Sequence, residues 1–312
     1  MDAREPKPNL IVVCGPNASG KTRLGIAIAR RVGGEILSVD SRQVYRGLDI
    51  GSGKDLAEYG HGSGKVSYHL IDIADPDDIY TLWRYQGDFY QAFRAVRERE
   101  HMPVAVGGTG LYLEAVLKRY QVPNVPEDSG FRELMMRKDR DTLAAMLRDE
   151  SPQVAERTDM STRKRIVRGL EIARFARNHE VRWGHEDPPD LRPLVLGVHW
   201  PRAVLRRRIR ERLEQRLAHG MIDEVRELRR RGLSDERLAM FGMEYRHITA
   251  FLRGDVELDT MREALYVDIC RLAKRQETYF RGMERRGIPI HWVDGGNSDQ
   301  AFAILREHLP TV

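Results

Sequence analysis

The sequence predicts an α/β protein: a parallel sheet flanked by helices, with a helical insertion domain. Three observations predict it. Over about the first hundred residues, short apolar runs alternate with segments of helical period, the pattern of strands joined by crossover helices. The first run, Leu-Ile-Val-Val at 10–13, leads into Gly15-Pro16-Asn17-Ala18-Ser19-Gly20-Lys21-Thr22, which fits G-x-x-x-x-G-K-[ST]. Between 122 and 193 the strand-like runs vanish, and prolines sit near both ends, at Pro123, Pro126, Pro188, Pro189 and Pro193.

The elements follow in order. Residues 10–13 form a first strand, 22–31 a helix, 35–39 a second strand, 68–73 a short third, 82–100 a helix and 104–106 another buried strand. The sheet then resumes after the insertion with a strand at 194–200, charged helices, a late strand at 288–293 and a last helix near 299–308. This defines a P-loop NTPase-like core over 1–121 and 194–312, and an insertion over 122–193. The Gly-His-Gly-Ser-Gly run within 59–65 is expected to be a mobile loop. In such sheets ligands gather at the carboxyl ends of the strands, so the residues just past each apolar run are the ones that carry chemistry.

Composition narrows the class. The chain has 312 residues, a net charge of +5 and two cysteines. It can bury a sizeable core, and its charge argues only weakly for an anionic partner. Cys14 and Cys270 lack a C-x-x-C neighbour, and the histidines lack metal-ligand spacing, so neither a disulfide framework nor a zinc site is expected. Cys14 is expected to pack beneath the loop at 15–22. No apolar run reaches the roughly 18 to 20 residues of a membrane span, and the charged N-terminus lacks a leader's apolar stretch. A cytoplasmic monomer without an obligate protein partner or a membrane is expected.

Residues 15–22 form a phosphate cradle by their physics. A strand, a glycine-permitted turn and a helix N-terminus aim backbone N–H groups and a positive dipole end at one point. Lys21 adds a point charge there, and Thr22 offers its hydroxyl to a Mg²⁺ that bridges phosphate oxygens. Asp40 follows the second strand and is expected to project over this site. It fits an N-cap or a water-mediated Mg²⁺ ligand as well as a general base. Val106-Gly107-Gly108-Thr109-Gly110-Leu111-Tyr112 places a hydroxyl on a glycine-rich turn at another strand end.

Taken together, GPNASGKT, SVDSRQVYRGLDIGSGK, YHLIDI, VGGTGLY and LAKRQETYF, in that order, resemble the tRNA dimethylallyltransferase family over nearly the whole chain. The resemblance implies transfer of a dimethylallyl group from dimethylallyl diphosphate to N6 of the adenosine 3′ of a tRNA anticodon, with Mg²⁺ as cofactor. It gives residues 15–22 the diphosphate of the donor, Asp40 the N6 proton, and Thr109 the bridging oxygen. It assigns Asp40, Ser41, Arg42 and Gln43 to the target adenine. Because that base lies in a folded anticodon stem-loop, it must leave its stack and enter a channel opposite the donor.

The same resemblance supplies an RNA surface. Lys164, Arg165 and Arg168 lie in a segment similar to the family's Arg-x-x-Arg-[Ala/Gly]-Leu-Glu helix. Gly242, Glu244 and Tyr245 resemble a Gly-x-Glu-Tyr element that approaches the tRNA, and Lys274, Arg275 and Gln276 are further candidates. Arg202, Arg206, Arg207, Arg208, Arg210, Arg212 and Arg216 are interleaved with Leu205, Ile209, Leu213 and Leu217. This pattern fits a solvated amphipathic helix as well as an active-site wall; Arg208 best matches the family's diphosphate-contacting arginine. Asn17 in place of a usual Thr, Ser161-Thr162 in place of a frequent Asn-Asp, and a glycine-rich extension at 51–66 depart from the pattern. A kinase of small molecules and an isopentenyltransferase of free adenine nucleotides would share the donor loop; the insertion favours tRNA.

Overall fold

The computed structural model describes residues 7–309; residues 1–6, part of the charged stretch read above for the absence of a leader, lie outside it. The described strands are β1 (Leu10–Cys14), β2 (Gly34–Val39), β3 (Tyr68–His69), β4 (Met102–Gly107), β5 (Pro193–His199) and β6 (His291–Asp294). They form one sheet in the order β3-β2-β4-β1-β5-β6, and every neighbouring pair is parallel. All five residues of β1 are buried, as a central strand covered on both faces requires.

Register positions the chemistry. Cys14 lies opposite Gly107 on one side and Gly197 on the other, and Gly107 lies opposite Val39. Gly15, Asp40 and Gly108 therefore leave the sheet side by side, at its carboxyl edge. Gly107 permits this closeness, because a Cβ there would sit 1.9 Å from the Val39 carbonyl oxygen. Behind the edge, Leu24 and Ile28 of helix Lys21–Val32 join Ile11, Val13, Val104 and Val106 in the core.

Two strands are shorter than the sequence suggests. Leu70 and Asp72 adopt φ of 65° and 56°, which ends β3 after His69. The following amides turn to a different partner: Asp72 and Ile73 donate to the carbonyls of Gln43 and Val44 at 3.1 and 2.8 Å. Ile288 donates to Met283 O at 3.1 Å, so it closes helix Leu258–Arg285, and β6 starts only at His291. The glycine-rich run folds into two short 3-10 turns, Leu56–Tyr59 and Gly62–Gly64, with Tyr59 buried.

Contacts divide the chain into two compact units. One holds the residues up to Tyr80, Asp88–Lys118 and those from Pro189; the other holds Thr81–Gly87 and Arg119–Pro188. The insertion thus begins three residues earlier and ends five earlier than expected. Arg192 and Asn9 explain the later limit: the Arg192 amide donates to Asn9 Oδ1 at 2.8 Å, and Asn9 Nδ2 donates to Asp190 O at 2.7 Å, tying 190–192 to the root of β1. Thr81–Gly87 joins the second unit because Trp83 stacks on His185 and donates its indole N–H to Gly184 O at 3.0 Å.

The second unit is helical, as its composition predicts. Helices Ser129–Met136, Arg140–Glu150, Pro152–Arg157 and Arg163–Ala176 each start at a side-chain cap, respectively Asp128, Asp139, Ser151 and Thr162. Leu143, Leu147, Ile166 and Leu170 form its core. Among the described residues, no helix is long and apolar enough to cross a membrane.

At the start of β2, Glu35 gathers an arginine and two histidines. Its carboxylate accepts from Arg99 Nε and Nη2 at 2.9 Å each, and it lies 2.6 Å from both His69 Nε2 and His101 Nδ1. Burial disfavours the charge, but these hydrogen bonds outweigh it and hold the carboxyl at about 2 instead of 4.5. A depressed folded pKa gives stability that is complete above the ordinary value and lost as pH falls through the folded one. Glu35→Gln should lower the melting temperature at pH 7 and flatten the part of the acid transition between about pH 4.5 and 2. Thermal melts across that range test it; parallel curves for the two proteins would refute the role.

Candidate phosphate and acceptor site

The phosphate end is built by what the helix lacks. Helix Lys21–Val32 has no side-chain cap and no acidic residue in its first turn, so its first N–H groups and positive end stay available to an anion. Trp200 and Arg208 brace the loop: Trp200 Nε1 donates to Ser19 O and Arg208 Nε to Ala18 O, each at 2.8 Å, with the guanidinium 4.6 Å from the indole centroid. Gln276 fastens it to the glycine turn after β4. Its Oε1 accepts from the Asn17 amide at 2.8 Å, and its Nε2 donates to Gly108 O at 3.0 Å.

One cavity joins this loop to the residues after β2. Lys21, Thr22, Asp40, Arg42 and Gln43 all line it, and it encloses about 740 Å³ of empty space, counting its opening to solvent. Val106, Ile209, Leu213, Met221 and Ile269 give it an apolar wall. Burial, and then the charge of Arg212, pull Lys21 down to about 8, while Asp40 acts the other way and Arg216 and Arg42 add to the fall. An anion bound in the loop opposes this pressure and favours the charged lysine.

Asp40 has two distinguishable oxygens. Oδ1 accepts from the amides of Arg42 at 2.9 Å and Gln43 at 3.4 Å, which fixes the turn after β2; no helix starts there, so Asp40 is not an N-cap. Among the described residues, Oδ2 has no hydrogen-bond partner. Thr109 Oγ1 accepts from the Ser41 amide at 3.2 Å, which leaves its own proton to donate. Gln43 is fixed from both ends, with Oε1 receiving the Ser38 hydroxyl at 2.9 Å and Nε2 donating to Gly53 O at 3.1 Å. Arg42 pairs with buried Glu244 at 2.5 Å; burial opposes its charge, but Glu244 and Asp40 hold its pKa above the ordinary arginine value.

Several expected residues take different places. Arg208 braces the loop and does not line the cavity; the lining arginines are Arg42, Arg212 and Arg216. The available signal was the spacing of four that puts 208, 212 and 216 along one stripe of helix Arg202–Ala218. Tyr245 is fully buried and donates its hydroxyl to Glu224 Oε1 at 3.0 Å, so it supports the site from within the core. Arg168 points inward, donating to Val125 O at 2.6 Å, Pro126 O at 3.3 Å and Glu171 at 2.9 Å. Lys164 and Arg165 are exposed on the helical unit, where Arg165 bonds Asp159 and Ser161. Lys274 and Arg275 are exposed, and Gly242 lies against the Arg42 side chain.

Two supports escaped the sequence reading. Buried Lys54 donates to Tyr45 O, Asp49 and Asp72 at 2.8, 2.6 and 2.5 Å. Glu224 accepts the consecutive amides of Asp49, Ile50 and Gly51 at 2.9, 2.6 and 3.0 Å. Both hold the segment that leads to Gly53.

The fold and the loop define a P-loop α/β protein built to hold a phosphate-bearing ligand beside a carboxylate. A family model described as IPP transferase matches residues 43–283, and one described as isopentenyl transferase matches 8–66. The chain is 46% identical over 301 residues to tRNA dimethylallyltransferase 1 of Syntrophus aciditrophicus, covering 96% of this chain and 97% of that protein. It is 48% identical over 292 residues to tRNA dimethylallyltransferase 2 of Pelobacter propionicus, covering 93% and 91%. The crystal structure of the tRNA isopentenylpyrophosphate transferase from Bacillus halodurans superposes with a TM-score of 0.67 at 30% identity, covering 97% of this chain and 95% of that one. The chain belongs to the IPP transferase family.

Gln276→Ala leaves the Asn17 amide and the Gly108 carbonyl without their partner. It should lower stability by about 1–3 kcal/mol, read by urea denaturation; an unchanged midpoint would show that water replaces the side chain at no cost.

Proposed function

We propose that this protein transfers the dimethylallyl group of dimethylallyl diphosphate to N6 of the adenosine immediately 3′ of a tRNA anticodon. The observation that carries the reading is a single cavity with the phosphate loop and Asp40 both on its wall. An exocyclic amine is a weak nucleophile, so the rate must come from alignment, charge stabilisation on the leaving group and proton removal. The N6 lone pair forms a bond to the allylic C1. The C1–O bond breaks, its electrons leave with the diphosphate, and the N6 proton passes to Asp40 Oδ2. No covalent enzyme intermediate is needed.

Each resident group has a task in this scheme. Lys21 and the open helix N-terminus hold the diphosphate, and Thr109 donates its hydroxyl proton toward the bridging oxygen. The apolar wall accepts the five-carbon tail and excludes water. Gln43, held rigid at both ends, is placed to read the adenine edge. Thr22 lines the cavity beside Lys21, and across it Asp40 keeps one carboxylate oxygen unbonded. These oxygen donors fit Mg²⁺, which takes few protein ligands and completes its shell with phosphate and water. When bound there it would neutralise charge on the departing diphosphate. Lys164 and Arg165 offer the helical unit's charge to the RNA backbone, and a cytoplasmic location is consistent with a tRNA substrate.

The decisive experiment incubates the protein with Mg²⁺, dimethylallyl diphosphate and either an anticodon stem-loop or AMP, and identifies the prenylated acceptor by mass spectrometry. The stem-loop should gain the group; prenylation of AMP alone would redirect the reading to free nucleotides. Asp40→Asn should lower kcat by about 10²- to 10⁴-fold with RNA affinity unchanged, and wild-type turnover would reject the base. Arg165→Ala should weaken stem-loop binding at low salt and reduce the salt slope by about one ion; identical salt titrations would remove Arg165 from the interface.

A further inference from the structure

We propose that Arg216 is a further ligand of the donor's diphosphate, gripping it from the Gly53 side of the cavity. The inference rests on the donor site described above and adds a residue that the phosphate loop does not require.

Arg216 lies one helical turn beyond Arg212 and lines the same cavity as Lys21. Its guanidinium fills the space that Gly53 leaves by having no side chain. A Cβ on Gly53 would sit 1.7 Å from Arg216 Nη2, and the backbone φ of +70° favours glycine there. The arginine is not placed there by a partner. Its Nε is buried with no hydrogen bond among the described residues. Asp55 approaches Nη2 only to 4.0 Å, and its carboxylate already bonds Arg212.

The charge on the cavity wall is also unbalanced. Lys21, Arg42, Arg212 and Arg216 are answered by Asp40, Glu244 and Asp55, of which Glu244 is committed to Arg42 and Asp55 to Arg212. Burial, followed by repulsion from Arg212, pulls the Arg216 guanidinium down to about 10. A buried, incompletely paired cation lowers the stability of the empty protein. Such a group is relieved by an anion, and a planar guanidinium matches two oxygens of one phosphate. A purine supplies only neutral acceptors, so the diphosphate is the ligand that restores the balance.

The test uses full-length protein and inorganic diphosphate as the probe. Calorimetric titration of Arg216→Met should show affinity reduced about ten- to hundredfold, with Arg216→Lys intermediate and stem-loop affinity by fluorescence anisotropy unchanged. The unliganded Arg216→Met protein should melt at or above the wild-type temperature, because an unpaired buried charge has gone, while its shift on adding diphosphate shrinks. A structural arginine predicts the opposite: a lower melting temperature with unchanged diphosphate affinity, which would overturn the proposal. Loss of RNA affinity in place of diphosphate affinity would overturn it too, by moving the anion to the RNA backbone. If Arg216→Met does not fold, Arg216→Lys carries the comparison, and wild-type affinity there refutes the bidentate contact. A wild-type protein that prenylates no stem-loop would instead refute the functional reading itself.

Discussion

The arrangement of this molecule depends on the parallel register at the carboxyl edge of its sheet. Because Cys14, Gly107 and Val39 are level, the phosphate loop, the glycine turn and the Asp40 segment leave together. A slip of one residue in β2 would turn Asp40 away and reverse every side chain of that strand. Gly107 is the narrowest point, since its bare Cα lets the β2 and β4 backbones meet there. Gln276 then crosses from the long C-terminal helix to lock the loop against that turn.

Buried charge is organised in two ways. Glu35, Lys54 and Glu224 in the sheet unit, and Glu171 within the helical unit, are each surrounded by several partners and tie together segments of their own unit that are remote in sequence. Inside the cavity the opposite holds: cations crowd together, and few carboxylates answer them. Satisfied networks specify a conformation, whereas an unsatisfied cluster is a place prepared for a ligand. The contrast separates support from site without any reference to chemistry.

Membership of the IPP transferase family agrees with this division. It removes the small-molecule kinase from consideration, and it accounts for an insertion that a phosphate loop alone would not need. Within the family fold, the helix Arg202–Ala218 contributes both a brace, Arg208, and cavity walls, Arg212 and Arg216, from a single stripe.

Much of this was legible in the chain. The loop at 15–22, the strands on either side of it, the helical insertion and the carboxylate after β2 follow from local signals, because glycine spacing, apolar runs and capping residues act over a few positions. Tyr245 and Arg168 were misread as surface residues, since a phenol or guanidinium reads the same in sequence whether it meets water or a buried carboxylate. The early end of β3 was missed because positive φ at Leu70 and Asp72 is imposed by pairing with Gln43 and Val44, about thirty residues earlier in the chain, an override of local preference by tertiary contacts. Sequence by itself determined the elements and the kind of ligand at the loop. Which arginines line the cavity was decided only by tertiary structure, because a helical stripe fixes neighbours along one axis, while the packing of that helix against the Gly53 segment selects among them.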